Sequence, residues 1–101
     1  MEAEAVILML DEVGSFAENK DLARSIRIAR IIPSLQAGST LVLDFSGVSG
    51  ATQSFIHALI AAPIREYPDS FYDLVLFKNC SAAVREIITT VSDYLEESFE
   101  R

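Results

Sequence analysis

Cysteine is almost missing from this chain of 101 residues, where Cys80 stands alone. A single thiol cannot close an intrachain disulfide, so a stapled secreted scaffold is excluded and a reducing compartment is the natural home. Histidine is as scarce. With His57 the only imidazole, no His/Cys group at metal-ligand spacing can be assembled, and neither metal nor cofactor is expected. Cations are few too: eight Lys and Arg against fifteen Asp and Glu, a formal charge of −7. Affinity for a phosphate backbone comes from clustered cations, so nucleic acid is not the expected partner. The one local exception is Lys20, Arg24, Arg27 and Arg30, gathered in a single segment. Long apolar runs are absent. Ala5–Leu10 and Ala58–Ile64 fall well short of the about 20 residues that span a bilayer. The opening Met1-Glu2-Ala3-Glu4 has no basic region of the kind a signal peptide carries. A cytoplasmic protein with no membrane contact is expected.

What remains is a chain half of whose residues are hydrophobic. Its length suits one domain, 1–101, able to bury a core without staples. So rich a composition also suggests apolar surface that another chain covers. Carboxylates crowd towards the ends (Glu2, Glu4, Asp11 and Glu12; Asp93, Glu96, Glu97 and Glu100), where a solvated rim is the plain reading.

The chain reads as alternating strands and helices, without repeats or linkers. Ala5–Leu10 is a continuous apolar run of the kind found in a strand buried on both faces. From Lys20 to Gln36 a helix is predicted, with Leu22, Ile26, Ala29, Ile32 and Leu35 on its inner face. Pro33 should bend or end it early. Thr40–Phe45 is the second strand, Ser46–Gly50 a glycine turn, and Thr52–Glu66 the second helix. Asp73–Lys78 is the third strand. The last helix starts at Ser81, a good N-cap, and carries Val84, Ile87, Ile88, Val91, Tyr94 and Leu95 as one stripe. A short pairing strand around Gly14–Phe16 is weakly signalled. The alternation predicts an α/β fold with a small, mostly parallel sheet, right-handed crossovers and helices against it.

Parallel sheets present functional groups beyond the carboxyl ends of their strands. Those ends carry Asp11 and Glu12, then Asp44 and Ser46, then Lys78, Asn79 and Cys80. Such a set admits a receiver-like phosphoacceptor, with Asp44 modified, Asp11 and Glu12 on magnesium and Lys78 on the phosphate. That architecture needs five βα units and about 120 residues, and only about three units are present. Cys80 precedes a helix start, where the dipole favours a thiolate, but a buried inert cysteine is the commoner case. His57 has no nucleophile placed beside it by sequence. The Gly47–Gly50 turn has neither dinucleotide nor Walker spacing. No catalytic constellation emerges, and an enzyme is not expected.

Three phrases resemble a known family. Leu41-Val-Leu-Asp-Phe-Ser-Gly-Val48, then Ser54-Phe-Ile-His-Ala-Leu59, then Phe77-Lys-Asn-Cys-Ser-Ala-Ala-Val-Arg85 are similar to the STAS domains, the anti-sigma-factor antagonists. The similarity is strongest to a divergent STAS-like branch of unknown function and runs from Val13 to about Val91. It implies a STAS-like α/β fold and a regulatory protein-interaction module that switches partners. The implied partner is a protein, an ATP-binding kinase-like anti-sigma factor, met by the helix after the turn. In the family's "DSSG" phrase the first Ser is phosphorylated. Here Thr52 stands at the Asp, Gln53 at that Ser and Ser54 at the second Ser, so Ser54 and Thr52 are the candidate acceptors. Helix capping is the plain alternative for both hydroxyls.

The docking surface expected from this reading comprises Ser46, Ser54, His57, Ile60 and Ile64. The second helix is apolar nearly all round. With Phe55, Leu59 and Ala62 inward, Ile60 and Ile64 fall on the other side with His57, either as an exposed patch or beneath a neighbouring helix. Self-association is a further expectation of such a patch. The receiver-like reading and a non-catalytic subunit of a larger complex stand as alternatives.

Overall fold

The computed structural model describes residues 4–99, and its sheet is parallel throughout. β1 (Glu4–Leu8), β3 (Thr40–Asp44) and β5 (Val75–Lys78) lie in the order β1-β3-β5. β2 (Phe16–Ala17) and β4 (Gly50–Ala51) form a second, two-stranded sheet. Parallel neighbours need a crossover of about a dozen residues or more. Between β1 and β3 it is supplied by α2 (Lys20–Ile26), a π-helical turn (Arg27–Ile31) and α3 (Ile32–Ala37); between β3 and β5 by α4 (Gln53–Glu66) and the short α5 (Phe71–Leu74). α1 (Met9–Val13) follows β1, and α6 (Ala82–Phe99) follows β5.

Side chains alternate across a strand, and only one face of the main sheet reaches the core. Ala5 and Ile7 of β1, Leu41 and Leu43 of β3, and Val75 and Phe77 of β5 pack with Phe45, Phe55, Leu59, Val84 and Leu95. No polar or charged side chain is buried among the described residues, so this core carries no desolvation cost to offset. The opposite face holds the row Val6–Val42–Leu76 and the row Leu8–Asp44–Lys78. Here the sequence expectation is corrected: β1 is an edge strand, and Val6 and Leu8 are 52% and 51% exposed. An unbroken apolar run does not distinguish a central strand from one whose outer face is left open.

The first crossover helix is also corrected. It runs to Ala37 despite Pro33, and its inner residues are Ala23, Ile26, Ile31 and Leu35. Leu22 is 38% exposed and Ala29 lies outside. The π-helical turn explains how the helix passes Pro33 and why Ile31, not Ala29, continues the inner face. The Ile32 amide donates to the Arg27 carbonyl, five residues back. That widened turn comes just before Pro33, which has no amide for the Ala29 carbonyl and whose ring would crowd it in a regular helix. The extra residue rotates the inner face, so a strict 3.6 period fails across it.

Elsewhere the elements fall close to expectation, except that the first strand stops at Leu8 and the expected strand residues Met9 and Leu10 open α1. The third strand starts at Val75, because Phe71–Leu74 close a helical turn first. The short pairing strand lies at Phe16–Ala17. Ser81 caps α6 by accepting the Val84 amide at 3.2 Å, and Val84, Val91 and Leu95 are buried while Ile87 and Ile88 are half-buried. Tyr94, expected within that stripe, is 61% exposed. In the turn after β3, the Val48 amide reaches the Phe45 carbonyl at 3.0 Å with Gly47 at φ 84°. The left-handed φ is what favours glycine there, and a Cβ would also press on the tip of the Leu10 side chain, 2.8 Å from Cδ2.

Candidate functional site

α4 starts immediately after β4, and two backbone ties fix its first turn. The Thr52 amide donates to the Ala17 carbonyl at 3.0 Å, anchoring the start to β2. The Thr52 hydroxyl accepts the Phe55 amide at 3.1 Å, an N-cap. Ser54 has no such duty. It is exposed, and its hydroxyl lies 3.4 Å from that of Thr52. His57, one turn on, is exposed as well. The two sequence candidates for modification are therefore unlike: Thr52 builds the helix start, and Ser54 faces outward.

α4 packs between α2 and α6, and a groove of about 650 Å³ opens along its outer face. Gln53, Ser54, His57 and Ala58 form one wall, Thr90, Val91 and Tyr94 of α6 the other, and Lys20 closes the end at the start of α2. Ala58 and Val91 leave the space because they are small. Lys20 is the one fully charged side chain in the lining, and the N-terminal end of α4 adds partial positive charge. Both lie at the groove mouth, in a chain that is otherwise acidic.

The aliphatic half of the expected docking surface is corrected. Ile60 is 0% and Ile64 2% exposed, within the core. A helix flanked by two others and laid over a sheet is buried on most sides, which is why Phe55, Ile56, Leu59, Ile60, Ala61, Pro63 and Ile64 are all inside. The second apolar side of α4 is accounted for by its neighbouring helices. Arg27 reinforces one of these contacts, its Nη1 donating to the Ala58 carbonyl at 3.0 Å. The structure thus brings Ser54 and His57 into one groove and removes Ile60 and Ile64 from it. Ser46 is exposed in the turn after β3 and does not line the groove. Lys20, Gln53, Thr90 and Tyr94 were not singled out by sequence as groove residues. Of these, only Tyr94 carried a signal, an aromatic with a polar tip inside an otherwise aliphatic stripe.

At the strand ends, Asp44 Oδ1 accepts the Ser46 amide at 2.9 Å and Asn79 Nδ2 at 3.1 Å. The Ser46 amide first, and Asn79 next, hold its carboxyl below the ordinary value. These bonds make Asp44 a clasp between two loops. No group of three or more His, Cys, Asp or Glu able to hold a metal occurs among the described residues. Burial pushes the Cys80 thiol up, with Arg85 opposing. No helix among the described residues is long and apolar enough to cross a membrane.

Residues 24–85, more than half of the chain, match the family model described as STAS-like domain of unknown function (DUF4325). Searches of curated proteins and of solved structures returned no match. The matched stretch contains β3, the glycine turn, α4 and the first turn of α6. It thus carries all three phrases on which the resemblance rested, and the chain belongs to the STAS-like family.

Proposed function

We propose that this protein is a regulatory, non-enzymatic interaction module whose protein partner docks along the α4–α6 groove. The observation that carries this reading is the pairing of Ser54 and His57 on the one open face of a helix otherwise buried. Polar side chains that pack against nothing, beside a cleft with apolar walls and an exposed tyrosine, have the make-up of an interface core with a polar rim. The partner implied by STAS kinship is an ATP-binding, kinase-like anti-sigma factor. Its docking element should present a carboxylate or other anionic group towards Lys20 and the start of α4.

Control of docking is assigned to Ser54. A phosphate there would sit beside the amide-rich start of α4 and fill the groove mouth with about two negative charges, favourable for the helix and repulsive to an anionic partner. Thr52 is the poorer acceptor, because its oxygen already serves the Phe55 amide. The test is capture of the partner from lysate of the native host by immobilised wild-type chain and by His57→Glu and Ser54→Asp chains. Recovery of an ATP-binding protein by the wild type, with loss from both variants, supports the reading. Equal recovery by all three removes the groove from it.

A further inference from the structure

The open edge of β1 points to a second binding surface, independent of the groove and of the function proposed for it. β1 has one hydrogen-bonded neighbour among the described residues, β3. Its other edge displays free amides and carbonyls, which proteins usually guard with lysine, proline or a bulge. Glu4-Ala5-Val6-Ile7-Leu8 has none of these and only one charge, at its start. The opposite edge strand, β5, ends in a lysine.

What β1 lacks can be read from Val42. That residue stands on the same outer sheet face as Val6, in register with it and with Leu76, and lies outside the contiguous core. It is nevertheless 3% exposed, whereas Val6 is 52% exposed. Val42 has a strand on each side; Val6 has a strand on one side only. A strand added beside β1 would cover Val6 as β1 and β5 cover Val42.

We propose that β1 pairs antiparallel with β1 of a second copy, with Val6 facing Val6 across a two-fold axis, to give a continuous six-stranded sheet. Antiparallel pairing about Val6 puts Glu4 opposite the second copy's Leu8 and Ala5 opposite its Ile7. Each side chain then keeps its own face, Val6 and Leu8 become flanked as Val42 is, and no like charges oppose. The two Glu4 carboxylates lie about 13 Å apart along the strands at ~3.4 Å per residue. A pairing centred on Glu4 would set these carboxylates against each other, and one centred on Ala5 would set Leu8 against a position before β1 and take Val6 off the axis. Pairing of β1 with β5 would repeat without closing and build a fibre, whereas β1 with β1 closes at two copies.

Sedimentation equilibrium of the full chain should give a concentration-dependent mass rising to twice that of one chain. Val6→Glu places like charges at the axis and should raise the dissociation midpoint by about tenfold or more, while Val6→Thr, still a good strand former, keeps the dimer. Register is read separately in a Cys80→Ser background. Val6→Cys should oxidise to a linked dimer, since facing Cα atoms about 4.5–5.5 Å apart suit a disulfide. Glu4→Cys, far from its own copy, should not. A chain that stays monomeric at hundreds of micromolar overturns the proposal and leaves the edge to a strand from another protein. So does linkage through Glu4→Cys as ready as through Val6→Cys. Should Val6→Glu fail to fold, the two cysteine variants still decide the matter.

Discussion

Asn79 Nδ2 donates to Asp44 Oδ1 at 3.1 Å and thereby joins the loops that leave β3 and β5. Asn79 sits at φ 60°, in the left-handed region where asparagine is one of the few tolerated side chains. Asn79→Gly should lose the bond but keep the conformation. Asn79→Ala should lose the bond and add about 1–2 kcal/mol of backbone strain. Urea midpoints should therefore rank wild type above Asn79→Gly, and Asn79→Gly above Asn79→Ala.

The same clasp sets a pH dependence. Asp44 is held below its ordinary value of 3.8, first by the Ser46 amide and then by Asn79. A carboxyl with a depressed folded pKa contributes stability above its unfolded value and loses it as pH falls through the folded one. Stability of the wild type should thus decline from about pH 4 downward on this account. Asp44→Asn cannot ionise, and its urea midpoint should change less between pH 6 and pH 3 than that of the wild type.

On α4, burial and exposure alternate within one turn. Ile60→Asp puts a carboxylate where exposure is 0%, at a cost of several kcal/mol, and the chain should unfold or aggregate. His57→Asp, on the exposed face, should keep the thermal midpoint within a few degrees while abolishing partner capture. A folded Ile60→Asp chain would refute the packing of α4 described above.

The hydroxyls at the start of α4 separate in the same way. Thr52→Ala removes a cap bond and should cost about 1 kcal/mol; Ser54→Ala should lie within about 0.5 kcal/mol of neutral. If the protein from its host is phosphorylated in this segment, tandem mass spectrometry should place the group on Ser54.

α6 offers a control on helical phase. Leu95→Ala should cost about 2–5 kcal/mol, as a fully buried leucine does. Tyr94→Ala, 61% exposed, should be near neutral in denaturant midpoint and felt only in partner binding.

Where sequence and structure agree, a local pattern was sufficient. Ser81 with its following stripe specifies α6, and the run Thr40–Asp44, apolar at its centre with Thr40 and Val42 β-branched, specifies β3, because capping and local pattern act within a few residues. Disagreements arise where a neighbour decides. Ile60 and Ile64 looked available until α2 and α6 are placed beside α4, and Val6 and Leu8 looked buried until β1 proves to be an edge. The groove was half legible: the STAS-like phrases marked Ser54 and His57, but its other wall comes from α6 and its end from α2. Residues some 35 positions apart meet there only through the fold.

The π-helical turn before Pro33 has a genetic consequence. Such a turn holds one residue more than an α-helical turn, so Arg27–Ile31 behaves as a stored insertion. Deleting Ala29 alone would return the proline ring to a regular helix and bring back a clash of about 3 kcal/mol. Deleting Ala29 together with Pro33→Ala would leave an unbroken α-helix, with Ile26 and Leu35 turned to the same side. The two changes should compensate each other, and a helix one residue shorter, without the proline, is the other form in which this crossover can be built.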